Sequence, residues 1–174
     1  MKFSSAGLAF CFVSCAFSFA QAPVTKQPSP SALPTESAQF DFWVGEWDVT
    51  AKSGKVVGHS RVEKIASGWG LLENWESPGH PGKSINAWNP AKKCWQQFWV
   101  GSDGSILELH GGLAADGSMV IRGPSPGRAG GTVLNRITYT PNPDGTVRQH
   151  WGISSDDGAT WTTSFDGLYH RAAK

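Results

Sequence analysis

Disulfides, membrane-spanning helices and a surplus of charge are all missing from this chain. Its three cysteines are Cys11, Cys15 and Cys94. The first two fall in an apolar N-terminal run, so removal of that run leaves one thiol and no internal disulfide. The run itself, residues 6–20, is too short and too soon followed by prolines to span a bilayer as a helix. After residue 46 no stretch keeps a 3.6-residue apolar period, which excludes long amphipathic helices. Without Lys2 the 15 basic residues become 14, equal to the 14 acidic ones. That balance gives no electrostatic pull towards nucleic acid or an anionic membrane. No G-x-S-x-G elbow, P-loop or dinucleotide fingerprint occurs, and no His/Cys cluster has metal-ligand spacing. No catalytic residue and no metal ligand is therefore nominated from motifs.

What is present begins with an export pattern. Lys2 precedes the apolar run, and Ala20-Gln21-Ala22 offers the small-x-small sequence that signal peptidases accept. Residues 1–22 read as a signal peptide, cut after Ala22 or after Ala20. An alternative makes Cys15 a lipid-anchored first residue, following Phe12-Val13-Ser14. Residues 23–38, rich in Pro and Ser, read as a disordered leader. Residues 39–174 fit one domain, periplasmic or secreted.

That domain alternates apolar and polar residues in short runs punctuated by glycine and proline. Strands are expected near 46–52, 56–66, 69–77, 83–89, 94–101, 105–113, 118–123, 132–140, 146–153 and 160–170. Ser53-Gly54, Asp103-Gly104, Asp116-Gly117, Asp144-Gly145 and Asp157-Gly158 supply residues that tolerate positive φ in tight hairpins. Some ten hairpin-linked strands predict an all-β, antiparallel up-and-down barrel preceded by a short helix, and closure removes the exposed edges. A two-sheet sandwich would need a long crossover, for which the Gly/Pro-rich residues 123–131 are the one candidate. Otherwise that stretch reads as a mobile loop over the barrel mouth.

All nine tryptophans follow residue 42. Even spacing puts Trp95, Gln97 and Trp99 on one strand face, and Gln149 and Trp151 on another. Indoles beside glutamines suit the wall of a partly polar cavity. With Trp75, these five are the expected ligand-binding residues. The competing reading has the tryptophans simply filling the barrel.

Three segments carry a resemblance: Phe40-Asp41-Phe42-Trp43-Val44-Gly45-Glu46-Trp47, Arg136-Ile137-Thr138-Tyr139-Thr140-Pro141 and Phe165-Asp166-Gly167-Leu168-Tyr169-His170-Arg171. Together they resemble an uncharacterised bacterial secreted family opening with FDFWxGxW. More loosely, Gly45-Glu46-Trp47 is similar to the Gly-x-Trp of the calycins, the lipocalins and fatty-acid-binding proteins among them. The calycin resemblance implies that Trp47 packs beneath Arg171 as a lock closing the barrel, a structural role. The disulfide and C-terminal helix of typical lipocalins are not found, so transport is an analogy only.

Three further features bear on chemistry. Ser154-Ser155-Asp156-Asp157-Gly158-Ala159-Thr160-Trp161 matches the Asp-box S-x-D-x-G-x-T-W, which reads as turn chemistry: Asp156 caps backbone N–H groups and Trp161 packs beneath. His150 and His170 are the nominees should a haem be bound, as in the calycin-like nitrobindins; no other cofactor is implied. Glu108 with His110, or Glu73, would serve acid–base work if they faced a cavity.

The sequence thus predicts an exported barrel holding a small, partly apolar molecule, with no nucleic-acid partner and no membrane span. The alternatives are a hydrolase or isomerase on the same barrel, and a module binding carbohydrate or envelope through exposed tryptophans.

Overall fold

The computed structural model describes residues 32–128 and 130–173. The expected signal peptide, and the expected leader up to residue 31, lie outside the described residues. Two 3-10 turns, Thr35–Ala38 and Asp41–Trp43, precede ten strands. These are β1 (Gly45–Ala51), β2 (Val56–Ile65), β3 (Gly70–Glu76), β4 (Gly82–Asn89), β5 (Cys94–Gly101), β6 (Ile106–Leu113), β7 (Met119–Pro126), β8 (Thr132–Pro141), β9 (Val147–Ser154) and β10 (Thr162–Arg171). Each pairs antiparallel with its sequence neighbours, and β1 pairs with β10 to close the barrel. The calycin-like up-and-down barrel is therefore the fold, and no crossover connection of the sandwich kind exists in it.

The hairpins form where the local chemistry demands. Gly54, Gly104, Gly117, Gly145 and Gly158 all take φ between 79° and 92°, a range open to glycine at no steric cost. Asp103, Asp116 and Asp144 each accept the N–H of the residue two positions on at 3.0 Å, the Asx-turn that holds the corner. Between turns the two-residue period rules. On β6, Leu107 and Leu109 are buried while Ile106, Glu108 and His110 are exposed.

Two expectations are corrected. The last residues of the expected leader, Thr35–Ala38, form a 3-10 turn with Ser37 buried, because Ser37 Oγ donates to the Pro34 carbonyl and gives that polar segment a partner. Residues 123–126 belong to β7 and are not a mouth loop; Pro124 faces Leu134 and Pro126 faces Thr132 on β8. Proline is tolerated there because the β6–β7 ladder ends at His110–Arg122, so β7 beyond Arg122 acts as an edge towards β6. The turn proper is shorter, with Gly130 and Gly131 at positive φ.

One end of the barrel is plugged. Phe40 stacks on Trp43 at 4.9 Å and meets Trp95 edge-on at 5.6 Å, while Trp43 and Tyr139 lie 4.6 Å apart. Trp47 meets Tyr169 at 6.2 Å. Phe40, Trp43, Trp47, Trp95, Tyr139 and Tyr169 are each at most 1 % exposed, so this half of the barrel is filled solid.

Below the plug, the Arg171 guanidinium lies 3.9 Å from the Trp47 ring centre. It also donates to the Val44 carbonyl at 2.6 Å, and Trp47 Nε1–H donates to the Trp43 carbonyl at 2.9 Å. Gly45 sits at φ 144°, and a Cβ there would overlap Arg171. The Gly-x-Trp motif thus combines backbone freedom with room for the arginine. The lock expected between Trp47 and Arg171 is present.

Candidate functional site

Strand parity decides which side chains face the lumen. Glu73 is opposite Ser84 on β4, Trp99 is opposite Ser84 on β5, and Gln97 is opposite Asn86. On the other side Trp151 is opposite Phe165 and Ile137, and Gln149 is opposite Tyr139 and Gly167. All six nominated residues, Trp75, Trp95, Gln97, Trp99, Gln149 and Trp151, share parity with buried partners and face inward.

They do not share one level. Trp95 belongs to the plug, where its Nε1–H donates to Gln39 at 3.2 Å. Gln97 lies midway, 4 % exposed, and donates to Asn86 at 2.8 Å and to the Tyr139 hydroxyl at 3.2 Å. Gln149 accepts the Tyr169 hydroxyl. Trp75, Trp99 and Trp151 stand at the end opposite the plug and are only half-buried. Solvent reaches part of these rings at the end opposite the plug.

Glycines on neighbouring strands shape that mouth. A Cβ at Gly58 would overlap the Trp75 ring, one at Gly82 the Trp99 ring, and one at Gly167 the Phe165 ring. Each aromatic therefore lies flat along the wall over a glycine instead of pointing across the lumen. Trp75 and Phe165 meet edge-on at 6.0 Å. Asn135 fixes Trp151 by accepting its Nε1–H at 3.0 Å, and anchors itself through the Gly123 carbonyl and Ser125. Gly82→Ala is expected to destabilise the protein by about 1–3 kcal/mol, since the new methyl must displace an indole from a packed wall. Urea unfolding would check this; unchanged stability would mean that Trp99 is not held against β4.

Beneath the mouth lies a polar chain centred on Glu73, which is 4 % exposed. Ser60 Oγ donates to one carboxylate oxygen at 3.1 Å and Ser84 Oγ to the other at 2.9 Å. Asn86 in turn donates to Ser84 at 2.9 Å. Burial pushes the Glu73 carboxyl up to about 7, and the two serine hydrogen bonds offset only part of that. Near neutral pH the group is thus partly a neutral acid. Ser84 already serves Asn86, so the Ser60 hydroxyl is the one free to turn and accept the Glu73 proton. Burial also raises the Tyr139 and Tyr169 phenols well above the usual range, with the Glu73 charge adding to it.

The remaining candidates face outward. Glu108 and His110 alternate with buried Leu107 and Leu109 and are exposed, so this couple does not face the lumen. The parity of β6 could have been read either way from the sequence, and Gly111 facing Trp95 sets it. His150 and His170 are also on the outer wall, hydrogen-bonded at 3.1 Å to Thr163 and Thr50. Neither is placed to ligate a haem inside the barrel. Among the described residues no group of three His, Cys, Asp or Glu is arranged to hold a metal ion, and no helix is long and apolar enough to cross a membrane. Cys94, half-buried at the start of β5, is free.

Asp156 performs the turn role read from its motif. It accepts the Ser154 hydroxyl at 2.7 Å and the Thr160 N–H at 2.8 Å. The hydrogen bonds from Thr160, chiefly its hydroxyl, and from Ser154 pull its carboxyl down to about 2. Of the acid–base candidates read from the sequence, Glu73 is the one that faces inward; its even spacing to Trp75 and Leu71 was the signal that it shares their face.

A closed ten-strand barrel with an Arg-over-Trp lock at one end and half-buried indoles above a buried polar chain at the other is the architecture of a calycin-like barrel. The chain matches no protein-family model and shows no significant similarity to a curated protein.

Proposed function

We propose that this is an exported barrel that holds a small, partly apolar molecule at its open end. Trp75, Trp99 and Trp151 would stack on it, and Gln149 and Glu73 would supply polar contacts from below. The observation that carries this reading is the contrast between half-buried indoles at the mouth and fully buried ones in the plug. Concave, mostly apolar sites with a few convergent polar groups are the usual form of ligand pockets. Glu73, as a neutral acid, would turn its proton from the Ser60 hydroxyl to a carbonyl or hydroxyl of the ligand. The residues of the plug take no part in binding. Export rests on the leader pattern of residues 1–22, and membership of the FDFWxGxW family on the three segments that carry it.

Native mass spectrometry of protein purified gently from its own compartment tests the reading, with an absorbance spectrum of the same sample. A stoichiometric extra mass is the expected result. In parallel, a neutral naphthylamine dye should bind the bare protein, and Trp99→Ala should weaken it about tenfold, the worth of one stacked indole. Bare polypeptide mass together with no dye binding would sink the proposal.

Glu73 also favours a second reading, acid–base catalysis, because a buried carboxyl tuned towards neutrality is suited to proton transfer. Against it, both carboxylate oxygens are engaged by serines and no histidine faces them.

A further inference from the structure

Outside the lumen, the wall carries a row of basic side chains that the preceding reading leaves unused. His110, Arg122 and Arg136 are direct cross-strand partners on β6, β7 and β8, so three basic side chains stand side by side on the outer face. Neighbouring strands are about 4.8 Å apart, which puts the row across roughly 10 Å of sheet. The like charges of Arg122 and Arg136, placed directly opposite, repel each other, so the pair costs stability unless something negative covers it. Among the described residues, Arg122 and Arg136 have no carboxylate within ion-pair distance and no hydrogen-bond acceptor, whereas Arg61 and Arg148 both do. The row borders a groove of about 470 Å³ that Pro124, Leu134, Asn135, Gly158 and Trp161 complete, with Asp157 on its rim.

The Asp-box hairpin explains how the row is held. Asp156 fixes the turn, Gly158 accepts the Trp161 Nε1–H at 3.0 Å, and the Trp161 ring lies over Gly152, where a Cβ would meet it at 3.2 Å. The Arg136 guanidinium then stacks 4.0 Å from the Trp161 ring centre. Stacking uses the face of the guanidinium and leaves its edge donors free, so Arg136 is oriented without being neutralised.

We propose that this groove is a binding site for a multiply charged oxyanion, a phosphate group above all, with Arg122 and Arg136 as its two forks and His110 as a third donor. Two guanidinium groups side by side match the charge and the several acceptor oxygens of a phosphate better than those of a single carboxylate. Trp161 is a positioning residue that acts through Arg136. The site lies on the outer wall and is separate from the mouth, so it stands or falls independently of the lumen ligand.

The test is titration of the full mature protein with pyrophosphate, inorganic phosphate and citrate, followed by calorimetry and by amide chemical shifts. Binding of pyrophosphate is expected with a Kd of about 1 mM or tighter, with shifts confined to residues around 110, 122–124, 134–136 and 157–161. Arg122→Gln and Arg136→Gln, both surface changes, should each weaken it about tenfold while leaving naphthylamine binding at the mouth unchanged. Trp161→Leu should weaken it too, with the far-ultraviolet circular dichroism of the barrel retained. Citrate binding more tightly than both phosphates would keep the oxyanion site and make carboxylate its source. No binding by any of the three anions, or binding indifferent to both arginine changes, would overturn the proposal.

Discussion

Trp47→Ala is expected to cost about 3–5 kcal/mol of unfolding free energy, the range for deleting a buried indole. Trp47 is 1 % exposed and holds three things at once: the Tyr169 ring, the Trp43 carbonyl and the Arg171 guanidinium. Its removal opens a cavity at the seam where β1 pairs with β10, through Trp47 opposite Arg171. A domain of this size has only about 5–15 kcal/mol to lose, so the variant should melt far below the parent protein. Most of the cost is packing. Arg171 is exposed, and an exposed cation–π pair contributes only about 0.5–1 kcal/mol.

A double-mutant cycle with Arg171→Met separates the two contributions. The coupling should lie near the cation–π range, while the Trp47 single change should carry the rest. Equal costs for the two single variants would mean that the lock, and not the indole, closes the barrel.

The second large effect is a stability that falls as pH rises. Glu73 ionises at about 7 in the folded protein against 4.5 for an ordinary glutamate. Between those values the folded state holds a proton that the unfolded state has released, so stability decreases with pH across that window. It is fully present below about 4.5 and the loss is complete above about 7. A shift of that size corresponds to roughly 3 kcal/mol between pH 4.5 and pH 8. At the acid end the sign reverses. Asp156, held at about 2 chiefly by its Thr160 and Ser154 hydrogen bonds, and Asp166, held low chiefly by Arg148, lose their contributions as pH falls below the usual aspartate value. Maximum stability should therefore sit near pH 4–5, more acidic than for most proteins.

Glu73→Gln keeps the shape and the hydrogen-bonding capacity while removing the titration. It should flatten the profile between about pH 4.5 and pH 8 and be the more stable protein at the alkaline end. Urea unfolding of both proteins across that range is the measurement. Parallel profiles would show that Glu73 is not the group responsible, and would remove the neutral-acid role proposed for it at the mouth.

Much of this barrel was legible before any coordinates. Ten strands and five positive-φ hairpin glycines follow from short-range patterns, a two-residue period and turn residues with one steric purpose, while the Trp47–Arg171 closure was what the calycin resemblance of Gly45-Glu46-Trp47 implied. Even spacing also put Trp95, Gln97 and Trp99 on a common face. What local pattern cannot state is the phase of each strand. A one-residue slip exchanges inside for outside, and Glu108 with His110 reads equally well on either wall. Depth along the barrel is equally silent, so Trp95 looked like a cavity residue although Phe40 and Gln39 bury it in the plug.

Residues 123–126 looked like loop because proline and glycine usually are; pairing with β8 makes them strand, and the early end of the β6–β7 ladder lets the prolines sit there. The closing of the ring likewise decided that Glu73 would be sealed between Ser60 and Ser84. Hairpin lengths and bulges set the register, and the register alone lined up His110, Arg122 and Arg136. The sequence by itself determined how many strands there are and where they turn, because those depend on neighbours a few bonds away. The tertiary structure decided which groups lie in water, which in the lumen and which beside one another, because burial and cross-strand contact belong to residues far apart in the chain.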